Sequence, residues 1–138
     1  MPDRFESGTM NTVGLTGLLE GTNFVIGKTP KKISEKENRQ IKYFKTELKK
    51  INGIKIYGGD ESTVGICGFN ADSIDSVRLC DILNDEYGIA MRGGFHCSML
   101  AHKSMGTAKT GMARASVSWF TTENDIEQAL KAIYKIVK

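Results

Sequence analysis

Apolar residues return at helical spacing in three stretches of this chain, and short apolar runs of strand length lie between them. That alternation is the strongest constraint on the fold, because helices and short strands of this kind bury their apolar sides only in layers. The first stretch presents Ile41, Phe44, Leu48 and Ile51 on one face, opens with a capping-box pair, Ser34 and Glu37, and stops at Asn52-Gly53. The second runs from Ser73 to Tyr87, with Ile74, Val77, Cys80, Leu83 and Tyr87 on one side and Gly88 at its end. The third is capped by Thr122 with Asp125 and faces inward through Ile126, Ala129, Leu130, Ile133 and Ile136. Between them, Ile54–Tyr57, Val64–Phe69, Ile89–Met91 and Ala113–Trp119 read as strands, and Gly58-Gly59-Asp60 as a turn.

Ahead of these elements, Asn11 to Ile26 is apolar with Gly14, Gly17 and Gly21 at helix-like spacing, and Lys28 to Lys31, with Pro30, breaks the pattern. Residues 93–112 carry Gly94, Gly106 and Gly111 and read as a loop. The order is therefore α, α, β, β, α, β, loop, β, α, which predicts an α+β two-layer sandwich with a largely antiparallel sheet. At 138 residues with 40% hydrophobic content the chain has material for one real core. The start, MPDRFESGTM, is too polar for a signal peptide, and no run is apolar enough to span a membrane. A net charge of +3 is too small to argue for nucleic acid. The 3 cysteines include no closely spaced pair, so a reducing, cytoplasmic setting is expected, without a metal site. Residues 2–9 have dense loop chemistry that runs straight into a helix, as expected of the C-terminal part of something longer.

Function concentrates in one window. From Tyr87 to Thr122 there is no Asp or Glu, while Arg92, Lys103, Lys109, Arg114 and both histidines, His96 and His102, lie inside it. A thiol reacts as thiolate, and nearby positive charge favours that form. Arg92-Gly93-Gly94-Phe95-His96-Cys97 thus reads as a flexible cationic loop presenting a reactive sulfur, although most free cysteines are small buried hydrophobes. Cys67, in Ile66-Cys67-Gly68-Phe69, and Cys80, on a helix face, take that ordinary role. Adjacent residues on an extended segment point apart, so His96 need not touch Cys97. His96, His102 and Cys97 match no closed zinc pattern. Arg92 and Arg114 suit a bidentate grip on a carboxylate, and Gly8-Thr9 offers a backbone N–H and a hydroxyl to a phosphate. Each of these also has a plain surface reading.

Three strings taken together are more specific. Arg4-Phe5-Glu6-Ser7-Gly8-Thr9-Met10-Asn11, then Gly88-Ile89-Ala90-Met91-Arg92-Gly93-Gly94-Phe95-His96-Cys97, then Arg114-Ala115-Ser116 running into Phe120-Thr121-Thr122, resemble the C-terminal part of the cysteine desulfurases and selenocysteine lyase-like members of the class V aminotransferases. The resemblance covers essentially the whole chain. It implies a homodimeric pyridoxal 5'-phosphate (PLP) enzyme of the aspartate aminotransferase fold (fold type I) that converts L-cysteine to L-alanine, leaving a persulfide on an active-site cysteine. Cys97 would be that sulfur acceptor. Arg114 would hold the substrate carboxylate with Arg92 supporting it, His96 would sit beside the thiol, and Gly8-Thr9 would reach the cofactor phosphate of the partner subunit. Residues 1–28 would belong to a large-domain or linker region and residues 29–138 to the small C-terminal domain. The lysine that carries the cofactor would lie outside this chain, leaving the fragment inactive alone.

Two departures from the family pattern bear on the subfamily: Ser98-Met99-Leu100 follow Cys97 where a proline often comes, and Thr121 stands where Asn is usual. Three alternatives remain open on the residues. One is a selenocysteine lyase acting on L-selenocysteine, one another class V aminotransferase with Cys97 incidental, and one a stand-alone binding module that docks a sulfur-acceptor protein on the basic loop.

Overall fold

The computed structural model describes residues 8–59 and 64–138, and two compact units divide the chain, residues 1–33 and residues 34–138. In the first unit, α1 spans Thr12–Lys28 and is capped by Asn11, whose side-chain oxygen accepts from the Gly14 N–H at 2.9 Å. None of its residues is buried, and Val13, Leu18, Leu19 and Ile26 are exposed.

Helix α2 runs over Pro30–Leu48, so it starts earlier than the capping-box pair at Ser34 suggests. Pro30 explains the difference. Its fixed φ and missing N–H suit the first helical position, and the Thr29 hydroxyl accepts from the Lys32 N–H at 3.4 Å. Ser34 is left inside the helix, where its hydroxyl accepts from the Asn38 amide at 3.2 Å.

In the second unit, β1 (Ile54–Tyr57), β2 (Ile66–Ala71) and β3 (Ala113–Ser116) form an antiparallel sheet in the order β1-β2-β3, with Ile56 opposite Phe69 and Phe69 opposite Ala113. The register puts Cys67, Phe69 and Ala71 on one face. Against it pack Ile41, Phe44 and Leu48 of α2, Leu79, Cys80 and Leu83 of α3 (Ser76–Tyr87), and Ile126, Ala129, Leu130 and Ile133 of α5 (Glu123–Val137). Each large side chain buried there contributes about 1.5–3 kcal/mol. Phe44 and Phe69 meet edge to face at 6.2 Å. This is the two-layer α+β arrangement expected from the order of elements. Gly68, Asn70 and Arg114 face the other side of the sheet, where Met112 lies against Gly68.

Local starts and stops depart from the pattern in instructive ways. Helix α3 begins after Asp75, not at Ser73, because the Asp75 carboxylate accepts from the N–H groups of Val77 (2.8 Å) and Arg78 (3.3 Å). Val77 is consequently turned outward and exposed. Gly88 closes α3 in the left-handed conformation (φ 65) and Thr122 with Asp125 forms the capping box of α5, both as the sequence implies. The strand expected at Ile89–Met91 does not form. Only Arg92 pairs with the sheet, and beyond it residues 88–91 and 115–117 part, leaving a cavity of about 350 Å³ beside α5. Nor is 93–112 wholly a loop: Met99–Ser104 forms a short helix, α4. Ala113–Ser116 is shorter than the expected strand to Trp119, since Ser118–Thr121 turns instead, with the Gln40 amide donating to Thr121 O at 2.7 Å.

Candidate functional site

The segment between α3 and β3 is anchored at both ends before it reaches its apex. Gly93 lies against the start of α3 so closely that a Cβ there would come within 2.5 Å of Ser76 O. Gly111 (φ 61) lies as closely on Gly94, where an added Cβ would meet backbone at 2.7 Å, and the Met112 N–H donates to Gly94 O at 3.0 Å. The Asn70 amide donates to Gly111 O at 2.9 Å, and the Ser76 hydroxyl to Thr110 O at 3.0 Å. Gly93 therefore has a packing reason to be glycine: only a residue without Cβ fits against the backbone at the start of α3.

Arg92 and Arg114 lie directly opposite each other in an antiparallel bridge. The Arg114 N–H donates to Arg92 O at 2.8 Å and the Arg92 N–H to Arg114 O at 3.2 Å. Like charges in that arrangement repel unless an anion joins them. Among the described residues neither is in a salt bridge with a carboxylate, and the Arg114 Nε is buried without a partner. Both line an open cleft of about 290 Å³ with Ala90, Met91 and Ser116. Two arginines opposite each other at one cleft, one with an unpartnered Nε–H, supply donors for a planar bidentate anion such as a carboxylate.

Cys97 is exposed, and an Arg92 guanidinium nitrogen donates to its Sγ at 3.6 Å. The other two thiols are buried, and burial pushes both up to about 11, with Lys45 acting against it at Cys67 and Asp81 and Asp75 adding to it at Cys80. His96 directs Nε2 at Met112 O, 2.9 Å away; a carbonyl only accepts, so Nε2 carries the hydrogen. Its Nδ1 is buried with no partner. Burial lowers the His96 pKa below 6.5, as do Arg114, Arg92 and His102, against the raising effect of the Met112 bond. His102 is buried and its Nδ1 lies 2.7 Å from the Thr107 hydroxyl.

Of the residues singled out in the sequence, Arg92, His96, Cys97 and Arg114 come together in the 34–138 unit. Gly8 and Thr9 are exposed in a bend ahead of α1, in the other unit, and Arg4 to Ser7 of the same string lie outside the described residues. The sequence reading missed the structural part of His102 and Thr107. Nothing in the periodicity marks them, because α4 is only 6 residues long. No group of His, Cys, Asp and Glu among the described residues could hold a metal ion, and no described helix is long and apolar enough to cross a membrane.

Known proteins with this arrangement are consistent among themselves. A cysteine desulfurase of Wigglesworthia glossinidia brevipalpis is 37% identical over 139 residues, covering 100% of this chain and 33% of its own length. One of Pectobacterium carotovorum is 32% identical over 135 residues, covering 98% of this chain and 32% of its own. The apo structure of a cysteine desulfurase from Thermococcus onnurineus NA1 superposes with a TM-score of 0.88 at 27% identity, over 99% of this chain and 34% of that one. The chain thus spans about a third of the length of the curated relatives it matches. The aminotransferase class-V pattern matches residues 1–129, a span that holds the thiol loop, the arginine bridge and all three strands, and the chain belongs to that family.

Proposed function

We propose that this chain is the C-terminal part of a PLP-dependent cysteine desulfurase, with Cys97 as the sulfur acceptor. The observation that carries the reading is the exposed Cys97 thiol at the guanidinium of Arg92, beside an Arg114 whose buried Nε has no partner. Arg114 and Arg92 hold the carboxylate of L-cysteine in the cleft between them, which orients the substrate sulfur toward the loop. Cys97 Sγ attacks that sulfur as thiolate. An S–S bond forms as the substrate Cβ–S bond breaks, the electron pair stays with the β-carbon, and that carbon takes a proton, giving L-alanine and a persulfide on Cys97.

PLP supplies the electron sink that this cleavage needs. On this chain the exposed Gly8 backbone and Thr9 hydroxyl fit its phosphate, and they would serve the partner subunit of a homodimer. Residues 1–28 belong to the large-domain or linker region in this reading and residues 29–138 to the small domain. The lysine that carries the cofactor lies in sequence beyond this chain, so the 138-residue chain alone is inactive.

Alanine release from L-cysteine in the presence of PLP, measured on the encoded protein that contains this chain, tests the reading. Cys97→Ser abolishes cysteine-dependent release, and Arg114→Gln raises KM at least tenfold, the loss of a charge-assisted bidentate contact. Undiminished alanine release by Cys97→Ser overturns the acceptor role. Amino-group transfer to a keto acid without sulfur release points to another class V aminotransferase. Selenium release that survives Cys97→Ser points to a selenocysteine lyase.

A further inference from the structure

The His96 imidazole turns away from the arginine cleft and back into its own loop. Phe95 O accepts from the Ser98 N–H at 3.0 Å, closing a four-residue turn. Its two central residues are His96 (φ 51) and Cys97 (φ 57), both left-handed. Two positive φ values are the pattern of a type I′ turn, a conformation ordinarily left to Asn and Gly. Side chains in that region are strained, and such a turn persists only where its surroundings hold it.

Here the surroundings act through the His96 ring. Nε2–H donates to Met112 O at 2.9 Å, across the loop. The ring stacks on His102 at 5.8 Å and 30°. His102 is itself buried, bonded at Nδ1 to the Thr107 hydroxyl, and met edge-on by Phe95 at 5.4 Å. With the i+1 side chain drawn inward, the i+2 side chain, Cys97, is left outside within reach of Arg92.

We infer that His96 is a positioning residue: its imidazole, anchored at Met112 O and stacked on His102, holds the left-handed turn that presents Cys97 to Arg92. The functional meaning rests on Cys97 being the sulfur acceptor, but the geometric claim does not. The inference also separates His96 from the substrate-binding pair. Its protonation would place an N–H on the buried Nδ1, which has no acceptor, close to Arg92, Arg114 and His102. The depressed pKa of His96 agrees with a ring kept neutral at pH 7.

The test is a double-mutant cycle on the full 138-residue chain, read as the iodoacetamide alkylation rate of each cysteine at pH 7 by peptide mass. Cys67 and Cys80 are internal controls, since they react only if the fold opens. Because alkylation needs neither cofactor nor substrate, it can fail while the desulfurase reading stands, and the reverse. His96→Leu slows Cys97 alkylation several-fold, Arg92→Gln slows it by a similar factor, and the double variant is no slower than the slower single. Wild-type alkylation of Cys97 in His96→Leu with Cys67 and Cys80 protected overturns the inference, as does a double variant whose loss is the product of the two. Should His96→Leu expose the buried thiols, His96→Gln decides, because its amide can still donate to Met112 O. Restored coupling to Arg92 supports the role, and lost coupling in a folded Gln variant overturns it.

Discussion

Three thiols sit in two environments that this one domain keeps apart. Cys67 and Cys80 lie in the helix-covered core, where burial raises both to about 11. Cys97 is exposed in a tight turn of a loop whose charged residues are all cationic. The residue type is identical, so the difference comes from position alone. The core thiols are side chains of regular elements with apolar neighbours. The loop thiol is placed by a left-handed turn, two close glycine contacts and a histidine stack. Exposure of the thiol follows the irregular part of the fold and its burial the regular part.

The strongest way to break that separation is to open the core. Leu83 is fully buried, so Leu83→Ala removes apolar contacts and leaves a cavity, at a cost of about 2–5 kcal/mol. Urea unfolding should show the lowered midpoint, and Cys67 and Cys80 should become alkylatable with it. A smaller effect should come from Gly93→Ala. The added Cβ would meet Ser76 O at 2.5 Å and the Val77 Cα at 2.6 Å, backbone atoms that cannot rotate away. About 1–3 kcal/mol of overpacking is expected. The comparison sharpens if this variant alters Cys97 alkylation while Cys67 and Cys80 stay protected at low urea.

How much of this was legible in the sequence depends on whether a residue acts within its own element. The core face of α5 and its capping box, the stop at Gly88 and the burial of Cys67 and Cys80 follow from spacing and local hydrogen bonding, and the structure has them as the pattern implies. Helix starts were less secure, because Ser34-Glu37 and Ser73 compete with Pro30 and Asp75, and a better N1 residue or cap wins. Ile89–Met91 has strand composition but diverges from the β3 edge that Arg92 pairs with, which no local pattern reveals. At the site, the cationic window and the exposed thiol could be read directly. The Met112 O anchor, the His96–His102 stack and the Gly93 contact with α3 join residues far apart in sequence or in irregular backbone, and periodicity is blind to both.

Smaller effects probe the boundary between the two environments. Asp75→Ala removes the cap of α3, the helix on which Gly93 rests, and should cost about 1 kcal/mol by urea unfolding. The smallest effect concerns pH. The folded His96 pKa lies below 6.5, so the folded state binds fewer protons than the unfolded one between the two values. Its contribution is full above about 6.5 and is lost as pH falls from there toward the folded value. Urea midpoints measured through that window should decline less in His96→Gln than in the wild type. An equal decline would assign the acid limb to other groups.

The central claim, that Cys97 and not Cys67 or Cys80 receives sulfur, is tested most directly by locating the label. The encoded protein is incubated briefly with PLP and sulfur-labelled L-cysteine without reductant, then digested and weighed peptide by peptide. One added labelled sulfur on the peptide holding Cys97, with none on those holding Cys67 and Cys80 and with alanine released, is the result the account predicts. Labelled sulfur on another cysteine, or alanine released with Cys97 unmodified throughout, would contradict it.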